Sequence, residues 1–301
     1  MPRGRSPERS TPEEDTMAQP ILRKMLAEGR FVTAPGIQDM ISAVVAAQFD
    51  FEVVYGSGYW LTASAHGLPD AGIASVTQMT DRMATLVRSS KAAVIADADT
   101  GFGGLLNVHH TVRGYEAAGV TAIQIEDQEF PKKCGHTPNK RVIPVADMAR
   151  KIEVACDARS SEDFLVIART DARQSEGYDG VMRRMEAYAK AGADVLFPEA
   201  LVSQEEVRAI TAAFDLPMLA NMAHGGLTPI VSPAELQALG YAIGIYPAMA
   251  SLTAAAAMED AFRRLRAGEA PRNDEMFDFQ RFCRLIGFED VWAFEKRWAQ
   301  D

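Results

Sequence analysis

The chain has 301 residues, 48% of them hydrophobic, which is enough for one large domain around a single core. Asp plus Glu number 41 against 31 Lys plus Arg, a net charge of -10, which excludes a general attraction to nucleic acid or to an anionic membrane surface. No run of about eighteen apolar residues predicts a membrane span, and three cysteines without a CxxC pair fit a reducing, cytoplasmic compartment rather than a disulfide scaffold.

Residues 1–16, MPRGRSPERSTPEEDT, mix arginines with acids, lack the apolar core of a signal sequence and read as a disordered tail. Residues 17–267 alternate short β-branched runs with longer amphipathic stretches, the pattern of a parallel sheet. The predicted strands are Phe31 to Ala34, Phe51 to Tyr55, Ala92 to Ala96, Ala122 to Ile125, Phe164 to Ala168, Ala193 to Phe197, Met218 to Ala220 and Ala242 to Tyr246. Helices are predicted over Asp39 to Gln48, Val76 to Ser89, Leu106 to Ala118, Val145 to Ala158, Tyr178 to Ala191, Gln204 to Ala213 and Pro233 to Leu239, with Gly119, Gly192 and Gly240 placed as C-caps. No GxGxxG or GxxxxGK[ST] loop follows any strand, so the fold class expected is α/β, a (β/α)8 barrel of TIM type, and not an open doubly wound sheet. After an Ala- and Met-rich helix over Met249 to Arg266, residues 268–301 form a helical extension crowded with Phe277, Phe279, Phe282, Phe288, Trp292, Phe294 and Trp298. So much aromatic surface implies burial, against the barrel or against a second subunit.

In a barrel of this kind catalytic groups sit where the strands end. Tyr55, Ser57 and Gly58 follow strand two, Asp97 and Asp99 strand three, Glu126 and Asp127 strand four, Arg169 strand five, Glu199 strand six, Asn221 strand seven and Pro247 strand eight. Single members of this set, Asp127 among them, also suit turns and helix caps. Asp97 and Asp99 are two apart, so on an extended segment both carboxylates point the same way. With Glu126 and with Asp70 of GLPDAG they make an all-oxygen cluster, which favours a hard cation, Mg²⁺, with Mn²⁺ as the alternative. The polar stretch Gln124 to Pro144 reads as a mobile lid, and within it Cys134 has Lys132, Lys133 and His136 as neighbours. Their positive charge lowers a thiol pKa and makes proton transfer feasible, whereas Cys156 and Cys283 read as apolar fillers.

The segments IEDQ and KKCGH, together with DADTGFGG, IARTDA and LFPEA, resemble the isocitrate lyase and phosphoenolpyruvate mutase superfamily, especially its methylisocitrate lyase and dimethylmalate lyase branch, over Ile21 to Leu265. The resemblance implies that Asp97 ligates the metal and that Asp70, Asp99 and Glu126 hold its waters. It further implies that Ser57 and Gly58 grip a substrate carboxylate, that Tyr55 stands near the reacting hydroxyl, and that Arg169 pairs with substrate oxygens. Glu199 and Asn221 line the pocket, and Cys134 is the acid/base of the lid, with Gly135 and His136 beside the substrate. Pro247 matches the lyases, where related oxaloacetate hydrolases carry serine. Tyr59 and Trp60 replace small residues and His224 replaces a glutamate, departures that bear on substrate choice. The implied reaction is magnesium-dependent cleavage of a 2-hydroxy di- or tricarboxylate, of 2-methylisocitrate or 2-alkylmalate type, to pyruvate and a carboxylate. Oxaloacetate decarboxylase or hydrolase chemistry is the alternative; phosphonomutase chemistry ranks lower because Cys134 is intact, and a ligand-binding or assembly barrel is the non-enzymatic reading. The same analogy implies a homo-oligomer, a dimer or tetramer that exchanges a C-terminal helix.

Overall fold

Strand side chains alternate between two faces, and here the alternation sorts the apolar residues into two cores. Val53 and Tyr55, Ala93 and Ile95, Leu165 and Ile167, Val195 and Phe197, and Ile243 and Ile245 form one cluster inside the sheet, and Val54, Val94, Ile123, Val166 and Leu196 join the other, under the helices. A sheet with apolar residues on both faces is a parallel one covered by helices. The structure, a computed structural model, describes residues 20–133 and 140–299. Its strands are β1 (Val32–Ile37), β2 (Val53–Gly56), β3 (Ala93–Asp97), β4 (Ala122–Glu126), β5 (Leu165–Thr170), β6 (Val195–Pro198), β7 (Leu219–Asn221) and β8 (Ile243–Tyr246). They pair in parallel in the order β6-β5-β4-β3-β2-β1-β8-β7. A bridge between Leu196 and Met218, with the Leu196 N–H donating to the Pro217 carbonyl at 3.0 Å, joins the two ends into a nearly closed barrel. The expected TIM-type barrel is therefore the architecture found.

The helices are α1 (Ile21–Ala27), α2 (Met40–Ala46), α3 (Gly58–His66), α4 (Val76–Ser89), α5 (Leu105–Ala117), α6 (Val145–Ala158), α7 (Arg173–Lys190), α8 (Gln204–Thr211), α9 (Pro233–Ala238), α10 (Met249–Arg266), α11 (Phe279–Leu285) and α12 (Phe288–Trp298). Gly119, Gly192 and Gly240 take positive φ where the expected C-caps lie. Neither α1 nor α3 was expected. α1 is two turns long and packs Leu22 and Met25 into the interior cluster; α3 buries Gly58, Leu61 and Thr62 but lacks an amphipathic stripe. The C-terminal region is a 3-10 turn and two helices rather than one, because Gly287 breaks it at φ 91°. Several strands run one or two residues past their expected ends, since Asp97, Glu126, Arg169 and Asn221 remain in the ladder although they are polar. Among the described residues no helix is long and apolar enough to cross a membrane.

Candidate active site

The inward parity that fills the barrel continues upward into the polar groups. Ala93 and Ile95 lead to Asp97, Ala122 to Gln124 and Glu126, Leu165 and Ile167 to Arg169, and Val195 and Phe197 to Glu199. Register then sets neighbours: Glu126 pairs with Arg169, and Arg169 with Phe197, over whose ring the guanidinium lies at 5.1 Å. These side chains open into a cavity of about 290 Å³ lined by Tyr55, Ser57, Tyr59, Trp60, Asp70, Asp97, Glu126, Arg169, Glu199, Asn221, His224 and Pro247, with Lys132, Lys133 and Leu252 at its wall. Gly58 touches it from behind: its N–H donates to Asp97 Oδ2 at 3.2 Å. Ser57 is the N-cap residue of α3 but makes no side-chain cap bond, so its buried hydroxyl faces the cavity instead. Cys134, Gly135 and His136 lie outside the described residues.

Three local expectations change. Asp99 does not reach the cluster by strand pleat, because β3 ends at Asp97 and Asp99 turns with φ 48°. Its N–H donates to Asp97 Oδ1 at 3.0 Å and its carbonyl accepts from the Glu126 N–H at 2.8 Å, which carries it back beside the other acids. Lys132 turns its charge to the acids: its buried ammonium lies 2.5 Å from Asp70 and 2.7 Å from Asp99. The flanks of the expected lid are tied down, with Gln124 and Glu126 in β4 and Gln128 paired with Val142. Asp127, of opposite parity to Glu126, points away from the cavity and accepts from Thr170, Arg184, Tyr188 and the Asp171 N–H, a structural role.

Sequence reasoning passed over several groups that hold the site. Tyr55 donates its hydroxyl proton to Gln124 Oε1 at 2.9 Å, and Gln128 donates to Glu126 Oε1 at 3.0 Å. Asp171 accepts from Arg169 Nε at 2.9 Å and from Nη2 at 3.1 Å, and Lys140 Nζ donates to it at 2.8 Å. The period of two offered a signal for Gln124 and Asp171, each two residues from a residue already singled out.

Burial sets the charges. It pushes Asp99 up to about 7 despite the Lys132 ammonium, with Asp97 and Asp70 adding to the rise. Burial likewise drives Glu126 well above the ordinary range, against the pull of Arg169. Burial by itself would discharge Lys132, but Asp99, Glu126, Asp97 and Asp70 outweigh it and hold the ammonium charged. For Asp171 burial again favours the neutral acid, and Arg169 and Lys140 overcome it, so its carboxyl stays well below the usual carboxylate range. Asp99 Oδ1 is buried without a directed hydrogen bond, although Lys132 Nζ lies 2.7 Å away. Among the described residues no three Asp, Glu, His or Cys side chains converge into a closed ligand set. Such an acid-rich wall suits a cation held by one carboxylate and by water, not a caged one.

The sequence model of a family described as phosphoenolpyruvate phosphomutase matches residues 22–266. The chain belongs to this family. As a member of the phosphoenolpyruvate mutase and isocitrate lyase superfamily, it is 41% identical over 280 residues to a 2,3-dimethylmalate lyase of Eubacterium barkeri, covering 92% of this chain and 97% of that one. It is 39% identical over 282 residues to a 2-methylisocitrate lyase of Aeropyrum pernix, covering 93% and 90%. Among solved structures, an oxaloacetate acetylhydrolase bound to 3,3-difluorooxalacetate superposes with a TM-score of 0.88 at 32% identity, covering 93% of this chain and 97% of that one. The superfamily resemblance read from IEDQ, KKCGH, IARTDA and LFPEA thus holds along the whole barrel.

Proposed function

We propose that this protein is a carbon–carbon lyase that cleaves a 2-hydroxy di- or tricarboxylate, of 2-alkylmalate or 2-methylisocitrate type, into pyruvate and a second carboxylate. The observation that carries this reading is one cavity lined by Asp97, Asp70 and Glu126 together with the Arg169 guanidinium, 3.4 Å from Glu126, in a chain 41% identical to a 2,3-dimethylmalate lyase. Asp97 would hold a divalent cation directly, Mg²⁺ or alternatively Mn²⁺, and Asp70, Asp99 and Glu126 would hold it through water. When bound, the cation supplies a Lewis acid that draws charge from the reacting oxygen.

The chain's own groups do the rest. Ser57 and the N–H groups that open α3 bind a substrate carboxylate, and Arg169 binds substrate oxygens through a guanidinium fork. Burial and the nearby Asp97 push Tyr55 far above its ordinary pKa, so its phenol stays protonated. Its proton is donated to Gln124, which leaves the Tyr55 oxygen to accept from the substrate hydroxyl. Cleavage passes the hydroxyl proton to a carboxylate of the acid cluster that lines the cavity and turns that oxygen into a carbonyl. The electron pair of the broken carbon–carbon bond stays on the departing carbon, which takes a proton from Cys134. Tyr59, Trp60 and His224 shape the cavity wall against which the substrate's substituent lies.

Residues 17–267 form the catalytic barrel and residues 268–301 an extension for assembly in a cytoplasmic homo-oligomer. Exposed Phe279, Phe294 and Trp298, at 72%, 64% and 61% accessibility in the isolated chain, support that assembly. A panel of 2,3-dimethylmalate, 2-methylisocitrate and isocitrate, assayed with Mg²⁺ for 2-oxo acid release, and of oxaloacetate, assayed for its own disappearance, tests the reading. Turnover of a 2-alkylmalate or methylisocitrate that disappears in Cys134→Ser is expected. Turnover of oxaloacetate alone transfers the assignment to the hydrolase or decarboxylase alternative, which the likeness to oxaloacetate acetylhydrolase supports.

A further inference from the structure

Three acidic side chains stand around Arg169. Asp171 takes its Nε and Nη2 at 2.9 and 3.1 Å, Glu126 lies 3.4 Å from Nε, and Glu199 lies 3.5 Å from Nη2. Asp171, bonded to two of the guanidinium nitrogens, sets a negative charge against it that weakens its pull on the substrate carboxylate Arg169 is meant to attract. The fully buried Lys140 ammonium, 2.8 Å from Asp171 Oδ1, changes this balance. Neither Asp171 nor Lys140 lines the cavity, and Asp171 bonds Arg169, which does.

The two contacts divide the work. Asp171 grips one edge of the guanidinium through two near-parallel bonds, which fixes its plane, and its own N–H is held by Asp127 Oδ1 at 2.9 Å. Among the described residues no hydrogen bond uses Arg169 Nη1, so the fixed plane leaves that nitrogen for a ligand. Left alone, Asp171 would also cancel the charge it orients. Lys140 neutralises Asp171 instead. We propose that Asp171 and Lys140 are a positioning pair for Arg169, in which Asp171 sets the guanidinium plane and Lys140 keeps its positive charge available to a substrate carboxylate. This rests on the reading of Arg169 as an anion-binding group.

The pair predicts a pattern that damage to the fold would not give. Oxalate, a minimal dicarboxylate, is titrated calorimetrically with Mg²⁺ into the parent and into Arg169→Met, Lys140→Met, Asp171→Asn and the Lys140→Met/Asp171→Asn double variant. Steady-state kinetics on the best substrate of the panel are run in parallel. Lys140→Met weakens oxalate and raises KM by about tenfold, the scale of one lost unit charge in a partly screened site, with kcat nearly kept. Asp171→Asn leaves oxalate affinity within about threefold and lowers kcat by about tenfold, the effect of a misaligned binding group. The double variant regains most of the oxalate affinity of Asp171→Asn, because the Lys140 charge bears on Arg169 through Asp171. It also removes both buried charges together, so it keeps the comparison usable if Lys140→Met alone does not fold. Additive losses in the double variant, or parent-like oxalate affinity in Lys140→Met, overturn the pair. Parent-like affinity in Arg169→Met overturns the anion-binding reading of Arg169 itself, a separate failure.

Discussion

Replacing Gly58 by alanine should disable the cation site at a cost to the fold of about 1–2 kcal/mol, the lost bond to Asp97 outweighing the helix gain. Gly58 opens α3 and its φ is not positive, so alanine fits the backbone; in a helix that exchange gains about 0.5–1 kcal/mol, less in the first turn. The new Cβ would stand 2.8 Å from Asp97 Oδ2 and 3.0 Å from its Cγ. Comfortable contact starts near ~3.4 Å, so the carboxylate must retreat by about half an ångström. The 3.2 Å bond from the Gly58 N–H to Asp97 Oδ2 is then beyond hydrogen-bonding range. A bond to a charged group contributes about 1.5–3 kcal/mol, which corresponds to a ~10- to 100-fold weaker metal affinity if Asp97 is the direct ligand. Mg²⁺ titration by calorimetry and by turnover, beside a urea melt, reads both sides. A urea midpoint lowered by the equivalent of about 1–2 kcal/mol, in a protein that still folds, with Mg²⁺ affinity reduced at least tenfold is expected; parent-like Mg²⁺ affinity in a folded Gly58→Ala protein refutes Asp97 as the ligand.

Asp127→Ala should cost about 3–5 kcal/mol of unfolding free energy, because it strips a fully buried acid of four donors and leaves the Asp171 N–H and part of Arg184 unpaired; a urea melt showing a loss under about 1 kcal/mol contradicts the structural role. The pH dependence has a defined sign. Asp171 has a folded-state pKa depressed by Arg169 and Lys140 against burial, so its contribution is fully present above the unfolded value near ~4 and fades as pH falls below it. Urea midpoints of parent and Asp171→Asn should therefore differ by a constant amount at neutral pH and converge in acid; a gap that widens in acid reverses the assignment. Sedimentation or light scattering should give a dimeric or tetrameric mass, reduced to monomer by Phe294→Asp with Trp298→Asp on the exposed face of α12. A monomeric parent leaves that face without the expected partner.

The fold was legible because its signals are local. Alternating runs such as Ala122 to Glu126, glycine stops at Gly119, Gly192 and Gly240, and polar residues directly after apolar runs each need only a few neighbours in sequence. The parity that buries Ile95 and Ile167 also aims Asp97 and Arg169 upward, so most of the cavity lining could be named before any strand was paired. α3 was hidden because its buried Gly58, Leu61 and Thr62 and its exposed Ser64 and His66 do not separate into an apolar stripe with a clear helical period.

Sequence alone determined the barrel, the end of it where polar side chains gather and the acids that crowd there. Only the tertiary structure decided who answers whose charge: Lys132 to Asp70, 62 residues away, Lys140 to Asp171, 31 away, and Gln124 to Tyr55, 69 away. Such pairings follow from strand order, register and the competition of several buried ions for few partners. They are sums over the whole assembled site, and no window of the chain contains them.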